Sequence, residues 1–249
     1  CNLTSGAGLN ISAPVGGIDV GASGRLDAGT ALVITGTLTK GDNVVIIAGS
    51  GGLDLAAGSG GATGGENLTI DSGATLDIDC PDFSDGTYVS STGNLMIWCD
   101  HDVPMDARVT LVAGGRIDVV LTNGGQLTAG ALFNVSAGSD LFVNAPVGGV
   151  TWGDDASATA GAELSFNLTT GDLVIGNSAV FGMVDFSLTS DSGSVTVGTS
   201  ASWNATNDLT MSLQDGSVSI NSSFAITTGN DLSLSTDTGT LAFGADGSL

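Results

Sequence analysis

In the second half of the chain, hydrophobic residues come in pairs separated by one polar position, and the pairs recur at a long fixed interval. With Asp140, Glu163, Asp185, Asp208 and Asp231 as openings, the intervals are 23, 22, 23 and 23 residues. The next position holds Leu141, Leu164, Phe186, Leu209 and Leu232, and two further on stand Val143, Phe166, Leu188, Met211 and Leu234. Alternation of this kind is the period of a strand with one face turned inward. Eight residues after each opening acid comes Gly148, Gly171, Gly193, Gly216 or Gly239.

A second apolar pair follows that glycine: Val150 and Trp152, Leu173 and Ile175, Val195 and Val197, Val218 and Ile220, Leu241 and Phe243. Gly153, Gly176, Gly198, Asn221 and Gly244 come next, and residues of these types are expected to supply a positive φ at a corner. A third, weaker apolar site carries Phe181, Trp203, Ile226 and Leu249, with small residues before it at Ala156, Ala179 and Ala201. Upstream the columns are looser. Gly8, Asn43, Asn67, Asn94 and Arg116 open coils of the same type with small insertions or deletions, while segment 27–42 fits no column cleanly despite a strand-like Leu32 and Ile34.

Three strands per repeat, each too short to stand alone, bury their inward residues only by stacking on neighbouring repeats. The pattern predicts an all-β, right-handed parallel β-helix (β-solenoid) with about 23 residues per coil and about ten coils. With stacked strands about 4.8 Å apart, the rod would be on the order of 50 Å long. A helix would need apolar spacings of three and four, and a sandwich would not hold one phase through five consecutive units. We expect one solenoid domain over 1–249, interrupted by a loop at a coil corner over 79–93.

Composition narrows the function. A formal charge of -22, against only 4 Lys and Arg, disfavours nucleic acid and anionic lipid surfaces as partners. It also keeps a strand-rich chain from associating sideways. The sequence has no apolar run long enough for a transmembrane helix. Cys1 at the first position fits a lipid-modified mature terminus, an intermolecular thiol link or an arbitrary boundary.

Candidate chemistry gathers where the repeat breaks. Cys80 and Cys99 flank the irregular segment, and a disulfide between them is the reading for an oxidising compartment, against two reduced thiols on adjacent coils. Asp77, Asp79, Asp82, Asp85, Asp100 and Asp102 stand near the same loop; they either gather carboxylates for a Ca²⁺ ion or are solvated turn acids. Asp154 and Asp155 carry the same two readings. No other cofactor is expected. Catalysis would have to draw on Arg25, Lys40, Arg108, Arg116 and His101 with outward acids, and no motif assembles them, so the chain reads as a non-enzyme. Trp152 and Trp203 have core explanations, whereas Trp98 stands out of phase beside Ile97. Asn2, Asn10, Asn67, Asn134, Asn167, Asn204 and Asn221 begin seven N-x-S/T sequons, either glycosylation acceptors or ordinary outward residues. Outward Thr169, Thr189 and Thr210 lack the strict T-x-T spacing of an ice-binding face.

The degenerate Gly-, Asn-, Ser- and Thr-rich coils from Gly8 onward resemble the β-solenoid passengers of filamentous-haemagglutinin-type adhesins and autotransporters. The resemblance is architectural and implies a secreted or cell-surface solenoid; it transfers no functional residue. Ser248 and Leu249 fall in mid-coil and Cys1–Ala7 make a half-coil. Head-to-tail self-association into a surface filament, sheath or fibre is therefore expected, with glycans or other surface proteins as further partners. The alternative is a polysaccharide-binding or polysaccharide-degrading parallel β-helix.

Overall fold

The computed structural model describes residues 2–40, 43–56, 62–63, 68–72, 76–79, 86–100, 102–105 and 107–249. Every described element is a strand, and all strand pairs are parallel. Among the described residues they form three sheets of eleven, twelve and seven strands; the strands before Val103 belong to the first two sheets, and the third runs from Val103–Met105 to Leu241–Phe243. The chain is a parallel β-solenoid.

The register explains the columns. In the second sheet Ile117 pairs with Leu141, Leu141 with Leu164, Leu164 with Phe186, Phe186 with Leu209 and Leu209 with Leu232. Leu127, Val150, Leu173, Val195, Val218 and Leu241 stack likewise in the third. Phe181, Trp203 and Ile226 stack in the first. These side chains point inward and meet there, nearly all of them fully buried. Bulk alternates with space: Trp152 has edge contacts to Phe133, Phe166 and Phe181, at centroid distances of 5.4, 5.6 and 5.0 Å. The next inward positions of its own coil are only Ala156 and Ala158.

The structure gives the corner glycines another role. Gly153, Gly176, Gly198 and Gly244 are not left-handed; the left-handed residues stand two positions later, at Asp155, Ser178, Ser200, Ser223 and Asp246, with φ between 55° and 60°. Leu132 and Arg108 occupy the same place, with φ of 60° and 63°. Each left-handed N–H from Arg108 to Ser223 donates to a carbonyl of the next coil, as in Asp155 N to Asn177 O at 2.8 Å. The glycines are required by crowding. A Cβ on Gly176 would lie 2.5 Å from the carbonyl carbon of Gly153 beneath it. Crowding also acts in the column at position eight, where a Cβ on Gly171 would lie 1.8 Å from Gly148 O, and there Gly216 and Gly239 have positive φ as well, 157° and 155°.

The first half departs from the expected phase. Val45–Ala48 belongs to the first sheet, Ile46 pairing with Leu26, and Leu53 belongs to the second, pairing with Leu32. Both therefore sit one face away from the columns assigned from Asn43, and Leu68–Ser72 is displaced in the same way from those assigned from Asn67. The cause is a shortened turn. Four residues separate Ser12 from Gly17 in the first coil, but Gly36 alone, with φ of 118°, separates the stacked Thr35 and Thr37. Within segment 27–42, the described strands are the end of Arg25–Ala28 and the whole of Leu32–Lys40, in a contracted coil, and 41–42 lie outside the described residues. The break near Cys80 is also a shortening: Thr69 pairs with Thr87 and Leu76 with Leu95. Within the 79–93 segment expected to be loop, Gly86–Ser90 is a strand of the first sheet with Tyr88 and Ser90 buried, and 80–85 lie outside the described residues.

Candidate functional site

The acids that open each coil are held at one corner of the solenoid, and most of them bind the coil above. Glu163 N–H donates to Asp140 Oδ1 (3.3 Å), Asp208 N–H to Asp185 Oδ1 (3.2 Å) and Asp231 N–H to Asp208 Oδ1 (3.1 Å). Other corners repeat the device. Asp154 Oδ1 accepts from Asn177 N and Nδ2 at 2.7 and 3.1 Å, and Asp172 Oδ1 from Ser194 N at 2.7 Å. Asn177 Oδ1 in turn accepts from Thr199 N and Oγ1, both at 2.9 Å. A carboxylate or amide oxygen at a corner satisfies a backbone N–H that the turn has taken out of the sheet. For these corner acids the role is structural.

The residues singled out for chemistry are spread over the rod. Cys99 is fully buried at the end of Leu95–Cys99, while Cys1, Cys80, Asp82, Asp85, Asn67 and His101 lie outside the described residues. Asp79 ends Leu76–Asp79 and pairs with Trp98. Asp100 is exposed, and Asp102 Oδ1 accepts from Gln126 N–H at 2.9 Å. Among the described residues no three metal-ligating side chains come together. Asn2, Asn10, Asn134, Asn167, Asn204 and Asn221 are exposed. Arg25 is paired with Asp27 at 2.9 Å and Arg116 with Asp118 at 2.6 Å, so these two guanidinium groups serve separate coils. Trp152 and Trp203 are buried, whereas Trp98 is 50% exposed.

One place does bring unlike groups together. On the outer face of the second sheet a groove of about 400 Å³ is lined by Arg116, Asp140, Phe142, Glu163, Asn167 and Thr189, with Ser165 and Ser187 between them. Three outward columns build it. Arg116, Asp140 and Glu163 stand before the strands, Asp118, Phe142, Ser165 and Ser187 follow, and Val120, Asn144, Asn167 and Thr189 form the third. The Arg116 guanidinium lies 5.2 Å from the Phe142 ring centroid, which steadies the ring by cation–π attraction. Asn167 Nδ2 donates to Asn144 Oδ1 at 3.1 Å and Thr189 Oγ1 to Asn167 Oδ1 at 3.3 Å, fixing the third column. Phe142 carried a signal in the sequence, an aromatic in the outward phase between Leu141 and Val143, but its neighbours become readable only with the register.

The two ends of the rod differ from its middle. Ladder residues that are buried in the inner coils are bare or half-bare in the outermost ones: Leu3 is 43% exposed, Leu241 40% and Phe243 42%, and Leu9, Ile11, Ile18, Leu232 and Leu234 are only partly buried. Leu249, expected in the third inward column, is 66% exposed. Among the described residues no helix is long and apolar enough to cross a membrane. Compared with protein-family models, with curated proteins and with solved structures, the chain finds no significant match in any of the three.

Proposed function

We propose that this chain is an extracellular structural and adhesive element, a solenoid rod that stacks end to end with further copies of itself in a cell-surface filament, sheath or fibre. The observation that carries the reading is the stack itself: parallel coils held in one register, with apolar ladders running along the rod inside a strongly acidic chain. A further coil of the same cross-section, stacked on such a rod, continues every ladder and buries its own inward side chains in the process. Each fully buried Leu or Phe contributes about 1.5–3 kcal/mol relative to exposure. The net charge of -22 opposes side-by-side association, so growth along the axis is the favoured direction. Such a contact is heterologous and propagates.

Electron microscopy of the protein purified from its natural source tests this reading. Rods much longer than the ~50 Å of one chain support it; uniform particles of single-chain length overturn it. Intact mass separates the two sources of an adjoining coil. A native chain of 24.3 kDa in long rods requires a second copy, whereas a much heavier chain assigns the coil to the chain itself.

A further inference from the structure

We infer that the groove on the outer face of the second sheet is a binding site for a neutral, hydroxyl-rich saccharide chain lying along the rod axis. Its parts match that chemistry. Phe142 is the one bulky side chain in a column that drops to Ser165 and Ser187 in the next two coils, so the ring forms a wall above a shallow floor. An aromatic face packs against the C–H face of a pyranose, and the surrounding groups then sort its hydroxyls. The carboxylates of Asp140 and Glu163 on one flank accept hydrogen bonds; on the other, the Asn167 amide keeps a second N–H and a second lone pair beyond its ladder bonds, and the Thr189 hydroxyl, whose proton goes to Asn167 Oδ1, accepts.

Charge decides the class. Arg116 is already matched by Asp118, which leaves Asp140 and Glu163 as net negative charge in the groove of a protein carrying -22. Phosphorylated, sulfated or uronate-rich chains would be repelled; neutral hexose chains would not. A cation held by Asp140 and Glu163 alone lacks the six or more oxygens that Ca²⁺ takes.

A second aromatic extends the site. Trp98 points outward from Leu95–Cys99, half exposed, and pairs with Val120, which pairs with Asn144. It therefore stands two strands from Phe142 in the neighbouring outward column, about 10 Å away along the axis, roughly the length of a disaccharide. A ligand bridging both rings would span several sugar units.

The inference is independent of the filament reading, since a single rod presents the same groove. Isothermal titration with cellohexaose, laminarihexaose and mannohexaose, and with hexagalacturonate as the anionic counterpart, tests it. At least one neutral hexasaccharide is expected to bind. Phe142→Ala should weaken that binding about tenfold while leaving the circular dichroism spectrum and melting temperature close to wild type. Glu163→Gln should weaken it by a smaller factor, and Trp98→Ala should weaken hexasaccharides but not disaccharides. Failure of all three neutral hexamers to bind, preference for hexagalacturonate, or binding untouched by both Phe142→Ala and Glu163→Gln would overturn the assignment.

Discussion

Two glycine-to-alanine substitutions in one stretch of chain, at Gly171 in a corner and at Gly182 in a strand, should move stability in opposite directions. At Gly171 a Cβ would stand 1.8 Å from Gly148 O and 2.3 Å from the Gly148 carbonyl carbon. The coil below cannot simply retreat, because a Cβ on Gly148 would itself meet Gly125 O at 1.8 Å, so that column is packed backbone on backbone. Relief must come from separating coils that Val150 and Leu173 hold in register. Overpacking of this kind costs roughly 1–3 kcal/mol, and rigid backbone places it at the upper end. At Gly182 the nearest atom would be Thr159 Cγ2 at 3.8 Å, an ordinary contact. Both replacements restrict the unfolded chain by about 0.4–1 kcal/mol, and neither glycine is left-handed. Gly171→Ala should therefore cost about 2 kcal/mol net, lowering the melting temperature by roughly 4–8 °C in a chain of this size, and Gly182→Ala should raise it by about 1–4 °C. Thermal and urea unfolding followed by far-UV circular dichroism read both. Equal stability of the two variants would refute the claim that crowding, and not backbone conformation, selects glycine at Gly171.

Three further outcomes follow from the packing and the corners. Trp152→Ala empties the centre of the cluster with Phe133, Phe166 and Phe181, and should cost about 3–5 kcal/mol by urea titration; a loss below 1 kcal/mol would mean the cluster is not the core. Leu132, left-handed and 50% exposed, is the poorest residue type for its place, so Leu132→Asn should stabilise the protein by about 1 kcal/mol. A lower melting temperature for that variant would contradict the corner assignment. Non-reducing peptide mapping of the native protein should link Cys80 to Cys99, and reduction should remove roughly 3 kcal/mol of stability. Complete alkylation of both thiols under denaturing conditions without reductant would exclude the bond.

Legibility in the sequence followed the regularity of the coils. From Asp140 onward every strand column read from alternation alone coincides with a paired column in the sheets, Leu141 through Leu232 being the clearest. In the first half, Leu, Ile and Val serve all three faces alike. A turn shortened at Gly36 was therefore enough to move Val45–Ala48 and Leu53 to neighbouring faces unnoticed. Glycine was legible as a corner residue but not for its reason, because close approach of two coils is a property of the stack and not of one turn. The opening acids were visible as a column, while their service to the backbone of the next coil was not. The groove stayed hidden for the same cause. Arg116, Phe142 and Glu163 are 26 and 21 residues apart in the chain and meet only when three coils are laid in register.

Cryo-electron microscopy of the native assembly tests the central claim, that solenoid rods stack end to end, most directly. The expected image is an unbroken solenoid with strands spaced about 4.8 Å along its axis, in which each sheet of one copy runs on into the same sheet of the next. Separate short rods, or ends covered by a chain of a different fold, would contradict it.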